Sequence, residues 1–64
     1  MKIMSVFDGQ TGEFLYMDEF VDKTQTIEEL KKGNAVELYE TNPIQYEDDE
    51  MIVDEDGFAS LKNK

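Results

Sequence analysis

Turn-forming residues divide this chain into short apolar runs, and this division limits the possible fold more than any other feature. Apolar and polar side chains alternate within most of the runs, which is typical of strands with one buried face. The predicted strands cover residues 2–7, 13–21, 35–40, 51–53 and 58–61. The last of these has a second interpretation as a helical turn, and a further strand is predicted to start at residues 44–46.

The residues between the first two strands predict a hairpin loop. Residues 8–12 are Asp-Gly-Gln-Thr-Gly, and the two glycines are expected to supply the positive φ angles that such a loop needs. In the second strand Phe14, Tyr16 and Phe20 are expected on one face and Met17 on the other, since successive side chains alternate. Both faces are thus partly apolar. We expect the face away from the core to be covered by the helix, by the C-terminal segment or by a second copy of the chain.

One short helix is predicted over residues 27–33. Thr26 precedes Glu29 by three positions, the spacing of a capping box in which each side chain bonds a free backbone N–H group at the helix start. Ile27 and Leu30 are three positions apart and would dock the helix on the sheet. The resulting order, β-β-α-β-β-β, predicts an α+β fold with a small antiparallel sheet of four to five strands and one short helix.

The length and the composition limit the domain organisation and the chemistry. Sixty-four residues suffice for one small domain, expected over residues 1–61, with residues 62–64 frayed at the end. The chain contains neither cysteine nor histidine. Their absence excludes disulfides, the commonest zinc sites and nucleophiles activated by histidine.

We expect no enzyme activity, no cofactor and no specific metal site. A domain of this size has little room for a cleft that separates the pKa values of two catalytic carboxyl groups. A calcium-binding loop with Gly57 at its sixth position would have Ile52 at the first and Asn63 at the twelfth, where oxygen ligands are required. The predicted role is therefore binding rather than catalysis.

Acidic residues dominate the charge of the chain. Sixteen Asp or Glu residues stand against six lysines, so the formal net charge is 6 − 16 = −10. That charge disfavours direct binding to nucleic acid or to an anionic membrane. Nine of the acids lie between residues 37 and 56, a window that contains no lysine but several apolar residues. Such mixing indicates a folded element with outward carboxylates rather than a disordered tail.

This acidic window supplies the candidate partner-binding residues. Its carboxylates would provide charge, and Tyr39, Tyr46 and Met51 are the candidate anchors that a tight interface needs. The candidates are Glu37, Tyr39, Glu40, Tyr46, Glu47, Asp48, Asp49, Glu50, Asp54, Glu55 and Asp56. Two alternatives stay open: the tyrosines pack on the sheet with only their hydroxyls at the surface, and the charge serves solubility alone.

Ten negative charges on so small a domain are of the same order as the charge density of DNA. Duplex DNA carries one charge per roughly 1.7 Å of axis, so ten charges correspond to about 17 Å of helix. A domain of 64 residues is about 25–30 Å across. The negative surface is therefore suited to imitating a DNA backbone in the basic groove of a DNA-binding protein.

In its size, acidity and lack of cysteine the chain resembles small acidic phage-encoded proteins that imitate DNA and disable a host protein. The resemblance implies a non-enzymatic inhibitor in the host cytoplasm. Such an inhibitor binds the basic DNA-binding surface of a host protein, such as a histone-like nucleoid protein, and blocks its DNA binding. These inhibitors have unrelated folds, so the resemblance assigns no role to any single residue.

A second resemblance supports a different function. The segment from Val6 to Phe14 is similar to hairpins in small phage structural proteins. It implies a small phage structural or interaction protein. Such a protein would act through self-association, since the apolar residues on both faces of the predicted strand at 13–21 could form the seam of a homodimer. A third interpretation is binding to a protein that does not itself bind DNA, such as a protease or a polymerase subunit.

Overall fold

In the part of the chain that the structure describes, one helix and five strands follow one another in the predicted order. The computed structural model describes residues 2–39 and 49–62. The elements are β1 (Ile3–Phe7), β2 (Phe14–Glu19), α1 (Lys23–Lys31), β3 (Ala35–Tyr39), β4 (Met51–Val53) and β5 (Phe58–Leu61). All five strands form one antiparallel sheet in the spatial order β2-β1-β3-β5-β4. The predicted α+β fold is therefore confirmed, and residues 58–61 form a strand rather than a helical turn. The strand start predicted at 44–46 lies outside the described residues.

The core lies between α1 and one face of the sheet. Strand β1 pairs with both β2 and β3, and its residues Met4 and Val6 are fully buried. Val36 and Leu38 of β3 point to the same side, as the alternation of the sequence predicts. The buried apolar residues are Met4, Val6, Phe20, Ile27, Val36, Leu38, Met51, Val53 and Ala59.

The helix begins four residues earlier than the capping-box spacing predicts. Asp22 is its N-cap, and the Asp22 side chain accepts a hydrogen bond of 2.9 Å from the backbone N–H of Thr24. Thr26 lies within the helix, where it is fully buried and donates its hydroxyl to the Met4 sulfur at 3.5 Å. The capping-box prediction is wrong because Asp22 is an equally good cap and the earlier start buries Thr26 against the sheet. Ile27 packs into the core as predicted.

The helix ends at Lys31, two residues before the predicted end. Gly33 follows with a φ of 95°, and its N–H group bonds the carbonyl of Leu30 at 3.0 Å. The next N–H group, that of Asn34, bonds the carbonyl of Glu29 at 3.0 Å. A glycine in the left-handed conformation stops the helix here because it costs no side-chain clash.

The first hairpin loop uses its two glycines differently. Gly12 has a φ of 78°, as predicted, whereas Gly9 does not have a positive φ. A side chain at Gly9 would collide with the carbonyl oxygen of Gly33, so Gly9 is required by the close approach of two loops. Asp8 closes the loop: one of its carboxylate oxygens accepts the N–H groups of Gln10 (2.7 Å) and Thr11 (3.0 Å). These backbone hydrogen bonds, that of Gln10 first, lower the pKa of the Asp8 carboxyl.

A register shift in β2 changes the face on which Phe14 lies. Val6 pairs with Tyr16, but the next residue of β1, Phe7, pairs with Phe14, so Leu15 is an extra residue in β2. The Phe7 and Phe14 rings are in edge contact, with centroids 5.8 Å apart. The prediction that Phe14 and Tyr16 share a face is wrong, because a bulge of one residue reverses the alternation beyond it.

Helix α1, nine residues long, is the helix that the structure describes. Within residues 2–39 and 49–62, no helix is long and apolar enough to cross a membrane.

Candidate protein-binding face

The sheet has a second face, directed away from α1, which we call the open face. Strand register places twelve residues on it, since paired residues of antiparallel strands share a side. They are Ile3, Ser5, Phe7, Phe14, Met17, Glu19, Ala35, Glu37, Tyr39, Ile52, Phe58 and Ser60. In the part of the chain that the structure describes, no helix or strand packs over this face.

Large apolar side chains are concentrated on the open face. Phe14 is 54% exposed, Met17 57%, Tyr39 42% and Phe58 41%, and Ile52 is exposed as well. These are five of the seven large apolar side chains that are exposed among the described residues. Scattered apolar residues are normal on a protein surface, whereas several on one face indicate a binding surface.

The open face is tied together across three strands. The Tyr39 hydroxyl on β3 donates a hydrogen bond of 3.4 Å to the Met17 sulfur on β2, over the intervening β1. The Phe7 ring on β1 contacts the Phe14 ring on β2 at the end of these strands that adjoins the hairpin loop. The apolar side chains of the face are therefore held by contacts with one another as well as by the backbone.

Glu37 is the acidic residue at the centre of this apolar face. It lies on β3, the middle strand, and pairs with Ser5 of β1 and Phe58 of β5. Tyr39 is two residues further along the same strand and lies on the same side. Both sequence-predicted candidates on β3, Glu37 and Tyr39, thus belong to the open face.

Three more predicted candidates form the turn between β4 and β5. Asp54 builds this turn: one of its carboxylate oxygens accepts the backbone N–H groups of Asp56 (2.9 Å) and Phe58 (3.0 Å). Gly57 completes it with a φ of 93°. The Asp56 side chain is exposed, as is that of Glu55. Asp54 therefore has a structural role, while Glu55 and Asp56 present their carboxylates to solvent.

The turn lies beside the end of β3. The N–H group of Leu38 donates a hydrogen bond of 2.7 Å to the carbonyl of Gly57. A Cβ atom at Gly57 would be 3.7 Å from the Cγ atom of Glu37. The acids of the turn consequently border the open face near Glu37 and Tyr39.

Glu50 is directed elsewhere. Its carboxylate pairs with the Lys23 ammonium at 3.0 Å, at the start of α1 and thus on the opposite side of the sheet. Its carbonyl accepts the N–H group of Lys62, which places it at the open end of the β4–β5 hairpin, away from Asp54. Asp49 precedes it and is exposed. The structure therefore separates this part of the acidic window from the open face.

The remaining predicted candidates are not placed by the structure. Four of them lie outside the described residues: Glu40, Tyr46, Glu47 and Asp48. Of the seven that are described, Glu37 and Tyr39 lie on the open face and Glu55 and Asp56 at its border. The prediction of Met51 as an anchor is wrong, because its side chain is fully buried in the core. The sequence interpretation missed the apolar members Phe7, Phe14, Ile52 and Phe58. Phe7 could have been found from the sequence, because it alternates along β1 with Ile3 and Ser5. Phe14 could not, because the bulge at Leu15 reverses the alternation in β2.

A polar network connects the helix to the core face of the sheet. The Tyr16 hydroxyl donates to one carboxylate oxygen of Glu29 at 2.6 Å, and the Asn34 amide donates to the other at 2.9 Å. Gln25 donates to the Tyr16 oxygen at 3.1 Å. The Tyr16 hydrogen bond, followed by that of Asn34, lowers the pKa of the Glu29 carboxyl, whereas burial, followed by the bond to Glu29, raises the pKa of Tyr16. These polar side chains are hydrogen-bonded to one another, so the network fixes the helix to the sheet.

The acidic side chains are not arranged as a metal site in the described ranges. Among residues 2–39 and 49–62, no group of three or more Asp or Glu side chains is placed to hold a metal ion. Asp54 is engaged with backbone N–H groups, and Glu29 with Tyr16 and Asn34. What the face offers chemically is apolar contact and isolated negative charge.

Comparison with known proteins adds no relative. The chain matches no protein-family model, and no curated protein or solved structure is significantly similar to it. The function is therefore inferred from the charge of the sequence and the geometry of the open face.

Proposed function

We propose that this protein is a non-enzymatic inhibitor that binds the basic DNA-binding surface of another protein and blocks its access to DNA. The open face is the docking surface, and the partner is a basic DNA-binding protein of the host cytoplasm, such as a histone-like nucleoid protein. The observation that carries the proposal is an exposed apolar sheet face, with one carboxylate at its centre and others at its border, on a chain of net charge −10.

The apolar residues account for affinity. Ion pairs at an exposed surface contribute roughly 0–1 kcal/mol each, so acidic residues alone do not hold a complex together. Aromatic side chains dominate the binding energy of protein interfaces. Phe14, Tyr39 and Phe58 are half exposed on the open face and are suited to that task.

The charge accounts for the choice of partner. The protein measures 28 × 25 × 19 Å, and a DNA duplex 28 Å long carries about 16 charges. Ten net charges over that length are of the same order. A basic groove built for DNA would attract this surface over long range and would release counterions on binding, as it does with DNA.

A displacement assay tests the proposal. A labelled DNA duplex bound to a histone-like nucleoid protein is titrated with this protein at several salt concentrations, and the anisotropy of the label is measured. We expect release of DNA at low salt and weaker competition as salt rises, since screening reduces the attraction. DNA that stays bound at every salt concentration would contradict the proposal, even if the two proteins associate.

Two matched variants locate the surface. Phe58→Thr removes an aromatic ring from the open face, and Val21→Thr removes an apolar side chain that is 80% exposed beyond the end of β2, in the connection to α1. We expect Phe58→Thr to weaken competition with DNA by about tenfold, a typical loss for an aromatic anchor, and Val21→Thr to leave it unchanged. Equal behaviour of the two variants would exclude the open face.

Self-association through the open face is a second candidate, favoured by the same exposed apolar side chains. Two copies would each bring a net charge of −10 and a central Glu37 to the interface. Such a dimer should therefore be stronger at high salt, whereas a complex with a basic partner should be weaker. Sedimentation velocity of the protein alone at low and high salt measures this difference.

A further inference from the structure

We propose that Glu37 and the aromatic side chains around it form a receptor for a single arginine side chain of the partner. This inference rests on the proposed function, because it names the chemical group that the open face recognises. Glu37 would accept the guanidinium group, and Tyr39 and Phe58 would pack against it.

Glu37 has small residues on two sides and aromatic residues on the other two. Its neighbours with small side chains are Ser5, which is paired with it across β1, and Ala35, two residues earlier in β3. Aromatic residues stand on the other sides: Phe58 is the paired residue on β5, and Tyr39 is two residues later. Ser5 is buried, whereas Tyr39 and Phe58 are about 40% exposed and supply apolar faces beside the carboxylate.

The Glu37 carboxylate has no cationic neighbour within residues 2–39 and 49–62. Ion pairs between described residues join Lys23 to Glu50 and Lys32 to Glu29, both on the helix side of the sheet, and neither involves Glu37. No described side chain donates a hydrogen bond to Glu37. A partly buried carboxylate amid apolar residues gains most from a partner that both neutralises it and donates hydrogen bonds.

Arginine fits this arrangement better than lysine. Its guanidinium is planar, can donate two parallel hydrogen bonds to one carboxylate and stacks on aromatic rings. A lysine ammonium is a compact, strongly hydrated charge that gives up more solvation at an apolar site. Basic DNA-binding surfaces are rich in both residues, so a preference for arginine distinguishes a shaped receptor from general attraction.

Two peptides of equal charge test the inference. Hexaarginine and hexalysine are titrated separately into the ¹⁵N-labelled protein, and backbone amide shifts are followed by NMR. We expect hexaarginine to bind about tenfold more tightly, with its largest shifts at Glu37, Tyr39 and Phe58, because one well-made charged pair is of this size. Equal affinity for the two peptides, or shifts centred on the helix side, would overturn the inference.

Matched variants separate the receptor from net charge. Glu37→Gln and Glu28→Gln each remove one negative charge, but Glu28 is exposed on α1, on the opposite side of the sheet. Glu37→Gln should abolish the preference for hexaarginine, while Glu28→Gln should weaken both peptides equally and by no more than about twofold. Tyr39→Leu keeps the charge and should also reduce the preference. Equal effects of the two glutamate variants would overturn the inference.

The two proposals fail in different ways. If hexaarginine is preferred through Glu37 but DNA stays on the nucleoid protein, the receptor stands and the proposed competition with DNA is wrong. If DNA is displaced but Glu37→Gln behaves like Glu28→Gln, the proposed function stands and the arginine receptor is wrong. Thermal unfolding by circular dichroism confirms that each variant is folded before its binding is compared.

Discussion

At the scale of single residues, the same type of side chain has different tasks depending on its neighbours. Asp54 uses its carboxylate to build a turn, and Glu29 uses its own to join the helix to β2 through Tyr16. Glu37, on the open face, accepts no hydrogen bond from the described residues. All three carboxylates contribute equally to the net charge of the chain. Of the three, Glu37 is the one available to a partner.

The contact between Tyr16 and Glu29 yields a prediction about stability. Tyr16→Phe removes the hydroxyl bonded to Glu29 at 2.6 Å and should lower the free energy of unfolding at pH 7 by about 1 kcal/mol. Tyr39→Phe is the control, because that hydroxyl is exposed and contacts a sulfur. Urea unfolding of both variants and the wild type measures the difference.

The pH dependence of this effect has a definite sign. The pKa of Glu29 is lowered in the folded protein, so its hydrogen bonds stabilise the fold above the ordinary glutamate pKa of 4.5, and this contribution is lost as the pH falls through the lowered value. The difference between wild type and Tyr16→Phe should therefore shrink on acidification. A difference that grows below pH 4 would contradict the assignment of Glu29 as the charged partner.

At the scale of elements, the local sequence predicted the type of each element, helix or strand, better than its boundaries. Helix α1 follows Asp22 instead of Thr26, because the earlier start buries Thr26 under the sheet. The second strand contains a bulge at Leu15, and no glycine or other turn residue at that position predicts it. In both segments the packing of the helix or strand against the rest of the sheet selected between local options that differ little in intrinsic energy.

Substitution of the N-cap tests the position of the helix start. Asp22→Ala removes the acceptor for the Thr24 N–H group and should lower the free energy of unfolding by about 1 kcal/mol. Glu28→Ala removes the same charge from an exposed position within the helix and should have a smaller effect. If thermal unfolding shows no difference between the two variants, Asp22 is not the cap.

At the scale of the whole molecule, charge and apolar exposure are combined on a very small body. A net charge of −10 within 28 × 25 × 19 Å produces self-repulsion that opposes compaction. The open face leaves several large apolar side chains in water as well. A basic partner that covers the face would neutralise part of the repulsion and remove the apolar side chains from water. This reduction of both costs is the physical basis of the proposed function.

Salt should therefore have opposite effects on folding and on binding. Raising the ionic strength from about 0.01 M to 0.15 M shortens the screening length from about 30 Å, the size of the whole protein, to about 8 Å. We expect the midpoint of thermal unfolding to rise over this range, since repulsion between the acids is screened. Competition with DNA should weaken over the same range. A midpoint that falls with added salt would contradict net self-repulsion.

The sequence by itself determined the order of the elements, the inward positions of Val36 and Leu38, the turn ending at Gly57 and the acidic character of the chain. These features are set by residue type and by spacings of a few positions, which act locally. Tertiary structure decided the rest. The bulge in β2 placed Phe14 beside Phe7, and strand pairing placed Glu37 beside Phe58. An ion pair with Lys23 holds Glu50 on the helix side of the sheet. Those outcomes depend on contacts between residues distant in the chain, and no local pattern specifies which strands become neighbours.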